Sequence, residues 1–177
     1  MTARRLLPAW PLACLLLTLP PDAQARGLRE IGLWIGESFG SNADFERIEL
    51  MVGWQLPWRW ERPSGWIIES RLIGSLGTLR GEGDSGALAS LGLAAVLASP
   101  SGRWQLEGGV RPTLLEDDDY DGFAVGGNFH FTSHLGLSLM LGDGFGIGYR
   151  VSHLSNADLD TPNPGVDTQQ VVLELRF

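Results

Sequence analysis

Residues 145–155 read F-G-I-G-Y-R-V-S-H-L-S, and residues 167–177 read D-T-Q-Q-V-V-L-E-L-R-F. In the first stretch the apolar residues Phe145, Ile147, Tyr149 and Val151 alternate with Gly146, Gly148 and Arg150. In the second, Val171, Leu173, Leu175 and Phe177 fall on one parity. Successive side chains of a strand project to opposite faces, so each stretch is a strand with an apolar face and a small or polar one.

The same two-residue period runs upstream. It joins Ile31, Leu33 and Ile35; Ile48, Leu50, Val52, Trp54 and Leu56; Trp66, Ile68 and Leu72; and Leu91, Leu93 and Leu97. It continues through Trp104, Leu106, Val110 and Leu114, and through Phe123, Val125, Phe129 and Phe131, so the count is eight strands. Beyond the first 25 residues no apolar run is long enough for a spanning helix, which needs about 20 residues. Strands of about ten residues, apolar outward and polar or small inward, are the signature of an outer-membrane barrel. The pattern therefore predicts an all-β, eight-stranded antiparallel transmembrane barrel. A soluble sandwich or lipocalin-like barrel shares the alternation, but two features favour the membrane form. Phe177 closes an alternating row, as in the C-terminal assembly signal of bacterial outer-membrane barrels. The connections also differ in character, with tight turns expected at Pro57–Ser64 and Ser99–Gly102. Longer or more polar loops are expected at Gly40–Asp44, Leu79–Gly86, Glu116–Gly122 and Asn156–Val166, all on the outer side if the N-terminus is periplasmic. The turn between the sixth and seventh strands falls either at Thr132–His134 or at Gly142–Gly144. An eight-stranded interior is filled by side chains, so no conducting pore is expected.

The start of the chain carries Arg4 and Arg5, the apolar run Leu6–Leu19, and the small-x-small triplet Ala23-Gln24-Ala25. That order predicts a secretory signal peptide over 1–25 and a single barrel domain over 26–177. Its removal takes away two arginines and one aspartate from a chain of net charge −8. The acidic remainder is a poor nucleic-acid binder. Cys14, the one cysteine, leaves with the signal peptide, so no disulfide, thiolate metal site or cysteine nucleophile is available.

His153, Ser155 and Asp167 share the odd parity of the apolar rows, at the outer ends of their strands. A serine hydroxyl becomes a nucleophile when an imidazole takes its proton, and the imidazole works best when a carboxylate fixes its tautomer. Polar groups facing hydrocarbon are costly unless they pair with one another or lie near the interface. A mutually bonded trio at the outer rim would meet both conditions.

The stretch Tyr149–Asp167, Y-R-V-S-H-L-S-N-A-D-L-D-T-P-N-P-G-V-D, resembles the end of the lipid A 3-O-deacylase (PagL) family. The family's His-x-Ser-Asn motif corresponds to His153, Ser155 and Asn156, and its acidic residue twelve positions after the serine corresponds to Asp167. Pro162, Asn163 and Gly165 match the intervening loop. Better-known members carry Glu where this chain has Asp167, a shorter reach to the imidazole. The resemblance implies a metal-independent, cofactor-free serine esterase of a Gram-negative outer membrane. It would hydrolyse the 3-O-acyl ester of lipid A in lipopolysaccharide, with Ser155 as nucleophile, His153 as general base and Asp167 orienting it. Asn156, through its side chain or a nearby backbone N–H, is the candidate oxyanion donor. A lateral homodimer is compatible with such a barrel. The alternative is a non-catalytic small barrel with a structural or loop-mediated binding role.

Other motifs weigh less. Asp117, Asp119, Asp121 and Gly122 match the start of an EF-hand loop, but the twelfth position is Asn128 and strands flank the segment. It reads as a solvated acidic loop, with calcium bridging to lipopolysaccharide phosphates as the alternative. His130 and His134 have helical metal-ligand spacing on a strand, so they read as surface or lumen histidines. The run Gly142–Gly148 lacks the following helix that a nucleotide site needs. Trp58, Trp60, Trp66 and Trp104 near strand ends suit an interfacial girdle.

Overall fold

Eight long strands close on themselves in the computed structural model, which describes residues 27–40, 43–142 and 144–177. They are β1 (Leu28–Ser38), β2 (Phe45–Glu61), β3 (Ile67–Gly81), β4 (Asp84–Ala98), β5 (Trp104–Leu115), β8 (Phe129–Leu141), β9 (Phe145–Ser155) and β10 (Val166–Arg176). Two short strands, β6 (Asp119–Tyr120) and β7 (Phe123–Ala124), pair as a separate hairpin. Every barrel strand is antiparallel to its neighbours, in the order β1-β10-β9-β8-β5-β4-β3-β2. The signal peptide expected over 1–25 lies outside the described residues.

The register winds as it goes round. From Ser155 on β9, the partner on β8 is Phe131 and the next, on β5, is Pro112. The same row crosses β4 at Leu91, between the pairs Ser90↔Thr113 and Leu93↔Val110, and continues to Gly74 and Val52. Through Ile31 and Leu175 it returns to β9 at Phe145, ten residues below its start. A shear of this kind tilts the strands and closes the sheet without an edge. It also makes any row perpendicular to the strands descend from the outer rim toward the opposite end.

The alternation predicted from sequence sets the two faces. Leu76, Leu91, Leu93, Val110, Leu114, Leu135 and Leu137 are exposed on the outside, a continuous apolar band that water would not tolerate and a bilayer requires. Trp58, Trp60, Trp66 and Trp104 are exposed together near the end that carries the short turns.

The interior is packed rather than open. Trp34, Met51, Ile73, Ala94 and Val172 form an apolar knot. Around it, Glu49 pairs with Arg47 at 2.8 Å, and Arg71 with Glu30 at 2.7 Å. The Arg111 and Arg150 guanidinium carbons lie 4.6 and 3.8 Å from the centroid of the Trp34 ring. Buried charges persist in such a core because each faces an opposite charge or an aromatic face.

The structure departs from the expected boundaries in three places and decides a fourth that the sequence left open. Phe123 and Val125 do not begin the sixth barrel strand, because positive φ angles at Asp121, Gly122, Gly126 and Gly127 break the extended row. Tyr120, Phe123 and Val125 instead turn inward over the barrel's outer end, onto Phe45, Leu79, Leu88, Leu115, Leu154 and Val166. Thr132–His134 is continuous strand, so the turn falls at Gly142–Gly144, with Asp143 outside the described residues. Leu79–Gly86 is no long loop but a hairpin with Glu82 and Gly83 at its tip, whose φ values of 49° and 105° fit a two-residue turn. Pro57 sits in a bulge of β2 rather than a turn, and the strand runs on to Glu61 before the turn bonded Gly65 N–H to Arg62 C=O.

Candidate active site

His153 and Asp167 are direct register partners across β9 and β10, and on the other side Ser133 faces His153 while Phe131 faces Ser155. Back to back with the first pair, inside the barrel, Ser152 and Thr168 are also partners and share a hydrogen bond of 2.7 Å. The inner pair holds the two strands in register, and the outer pair stands on that frame.

The imidazole Nδ1–H of His153 donates to Asp167 Oδ1 at 2.7 Å, with both side chains about half exposed at 50% and 49%. This bond leaves Nε2 as the acceptor nitrogen, the tautomer that a general base needs. Ser155 lies two residues further along β9 on the same face. Among the described residues a hydrogen bond thus joins His153 to Asp167 and leaves Ser155 beside them without one, as is common before a substrate tightens a site.

Gly165 completes the setting. A Cβ added there would stand 2.9 Å from Cε1 and 3.5 Å from Nε2 of His153, so the bare glycine lies directly against the ring. Its φ of 69° is left-handed, a second reason for glycine. Its contribution is invisible in composition, since the contact exists only after β9 and β10 pair.

Asn156 stands apart from the trio of His153, Ser155 and Asp167. Its even parity turns it inward, where it is fully buried. Its side-chain amide donates to the carbonyls of Gly126, Asp160 and Pro162 at 2.8, 3.1 and 3.1 Å. Its Oδ1 accepts from the Asp158 N–H at 2.9 Å, and its own N–H donates to Asn163 Oδ1 at 3.1 Å. Both the side-chain amide and the backbone N–H of Asn156 are thus engaged within the outer loops in this structure. What it does is hold the loop 157–165 against the segment that follows β7, and so hold Gly165 against His153.

The remaining candidates separate from this trio. His130 and His134 both point inward, the first bonded to Gly127 C=O at 2.8 Å and the second 3.3 Å from Glu107. Asn128 donates to the carbonyls of Leu115 and Glu116, and Asp119 accepts from Gly122 N–H. Among the described residues no three His, Cys, Asp or Glu side chains gather as ion ligands. On the outer face below Asp167, Tyr149 donates to Gln169 Oε1 at 2.8 Å and Gln169 to Glu37 at 3.4 Å.

The chain is 35% identical over 75 residues to the lipid A deacylase PagL of Bordetella bronchiseptica, a stretch that is 42% of each protein. It thus spans under half the length of that relative. The crystal structure of the outer membrane enzyme PagL superposes with a TM-score of 0.73, covering 84% of this chain and 99% of that one at 17% identity, which shows a shared barrel fold. The family model described as lipid A 3-O-deacylase (PagL) matches residues 48–176, well over half of the chain and including His153, Ser155 and Asp167. The protein belongs to the lipid A 3-O-deacylase (PagL) family.

Proposed function

We propose that this protein is an outer-membrane serine esterase that removes the 3-O-linked acyl chain of lipid A. The observation that carries the reading is the 2.7 Å bond from His153 Nδ1 to Asp167 Oδ1 on the membrane-facing side of the barrel, with Ser155 two residues along. A carboxylate bonded to Nδ1 orients the imidazole and stabilises its protonated form. Both effects are of use to a base that must gain and lose a proton.

In the proposed mechanism Ser155 Oγ attacks the ester carbonyl carbon while His153 Nε2 takes the hydroxyl proton. Asp167 stabilises the imidazolium so formed. The tetrahedral intermediate expels the sugar oxygen, which receives that proton from His153, and an acyl-serine remains. Water then attacks the acyl-serine with His153 again as base, releasing the fatty acid and restoring Ser155. Asn156 and Gly165 act as positioning residues through the loop and the ring contact.

The test is mass spectrometry of lipid A from outer membranes carrying the native protein, Ser155→Ala or Asp167→Asn. Loss of one 3-O-linked hydroxyacyl chain with the native protein, abolished in the first variant and much reduced in the second, supports the reading. Unchanged lipid A around a properly inserted native barrel overturns it.

A further inference from the structure

We infer that a polar-walled groove beside Asp167, built by Tyr149, Gln169, Glu37 and Glu46, receives the sugar half of the ester, so that this wall selects acylated sugars over simple acyl esters. The inference rests on the reading of Ser155 as nucleophile and His153 as its base.

Position is the first observation. Gln169 follows Asp167 by two residues on the same face of β10, and its register partner Val151 is the next residue of that face below His153 on β9. Glu37 is the partner of Gln169, Glu46 of Glu37 and Arg80 of Glu46. In this direction round the barrel the shear carries a row upward. This one rises from beside the catalytic pair to Arg80, two residues short of the hairpin tip at Glu82. Its polar groups therefore stand at the level where a glycolipid changes from hydrocarbon to sugar. Beneath them lie Ile35, Ile48 and Val171, each apolar and exposed.

Unused bonding capacity is the second. Tyr149 donates to Gln169 Oε1 at 2.8 Å, which fixes the amide so that Nε2 faces Glu37 at 3.4 Å. Gln169 keeps one N–H and one acceptor site free. Glu37 and Glu46 oppose each other as like charges across β1 and β2, an arrangement that disfavours the pairing. Among the described residues the one cation paired with either is Arg80, exposed and 3.9 Å from Glu46. The wall is thus rich in acceptors at a cost to the fold, and it complements a ligand that presents hydroxyl and amide N–H groups, as a sugar acylated on nitrogen does. The same carboxylates repel a phosphate, so any phosphate of the substrate points away from them.

The direction of the chemistry is the third. His153 returns its proton to the departing sugar oxygen, so the alcohol half of the ester lies on the imidazole side of Ser155. Of the two flanks of the imidazole, that on β8 presents Ser133 and Phe131, while that on β10 leads past Asp167 to a groove of about 500 Å³, a volume within the range of ligand clefts.

The experiment uses the full chain refolded in detergent micelles, with folding of each variant checked by heat-modifiable gel mobility. Two esters of tetradecanoic acid are compared, the 3-O-ester of N-acylated glucosamine and the nitrophenyl ester. The quantity read is the sugar-to-nitrophenyl ratio of kcat/KM for the native protein, Gln169→Leu, Glu37→Leu and Asp121→Asn. The last variant removes an exposed carboxylate from the same end of the barrel, outside the groove. The expected result is a ratio about ten-fold lower in Gln169→Leu and in Glu37→Leu, the scale of one lost hydrogen bond, seen mainly as a raised KM for the sugar ester. Asp121→Asn keeps the native ratio. Native ratios in whichever groove variant folds, an equal fall with Asp121→Asn, or a native protein that cleaves the nitrophenyl ester alone overturn the groove assignment while leaving serine esterase chemistry intact. A folded native protein that cleaves neither ester, nor lipid A, removes both readings.

Discussion

Asp167 meets His153 across two hydrogen-bonded strands as its direct register partner, and the short aspartate side chain spans the gap with a 2.7 Å bond. A glutamate is therefore not required at this position for contact with the imidazole. Asp167→Asn keeps an acceptor but removes the charge that stabilises the imidazolium, and kcat should fall about 10³-fold or more with little change in KM. Asp167→Glu should retain far more activity than the asparagine variant. Steady-state kinetics on a soluble ester separates the two.

Gly165→Ala places a methyl 2.9 Å from Cε1 of His153 at a residue whose φ is 69°. The backbone cost is about 1–2 kcal/mol in a loop outside the barrel ladder. The expected outcome is a folded, heat-modifiable protein whose kcat falls by about one to two orders of magnitude, because a small displacement of a catalytic base is costly.

Asn156→Ala leaves three carbonyls and the Asp158 N–H of the outer loops without the partners they now have. The alanine keeps its own N–H, so the loss is mainly the side-chain network, with each orphaned buried group costing about 1–3 kcal/mol. Limited proteolysis should cut the 157–165 segment much faster in the variant, with the barrel fragment surviving. Equal cleavage rates would remove Asn156 from its positioning role.

Glu49 lies buried among Arg47, Arg111 and Ser75 inside the barrel. Glu49→Ala strands two arginines without their counter-charge, and losing one partner of a buried pair typically costs about 3–5 kcal/mol. Thermal unfolding followed by gel mobility should show a clear drop in Tm, while Glu46→Ala, in an exposed 3.9 Å pair with Arg80, should leave Tm nearly unchanged.

Tyr120 sits in the apolar cap over the outer end, and its phenol is pushed up to about 12 by burial, reinforced by the nearby carboxylates of Asp117, Asp84 and Glu116. Its folded-state value lies above the ordinary one near 10. The neutral phenol thus adds stability that is fully present below pH 10 and lost as the pH rises toward 12. Ultraviolet titration of the native protein minus Tyr120→Phe, which retains only Tyr149, should place the transition near pH 12; one at the ordinary tyrosine value would contradict the cap.

Alternation is a local property, written in residues two apart, and it was enough to identify eight barrel strands, their apolar face and the odd parity shared by His153, Ser155 and Asp167. Phe123 and Val125 show the limit: their parity fits a strand, but glycines and left-handed residues fold them over the barrel's end, where hydrophobic burial decides. The pairing of residues 153 and 167, the inner Ser152–Thr168 bond and the contact of Gly165 with the imidazole depend on register. Register is set by closure of all eight strands together. The same holds for the bond from Asn156 to the Gly126 carbonyl, thirty residues upstream, which joins two loops that sequence alone does not bring together. The descent of the register row that starts at Ser155 is likewise no property of any one strand. It follows from the shear, which exists only once the first strand has met the last.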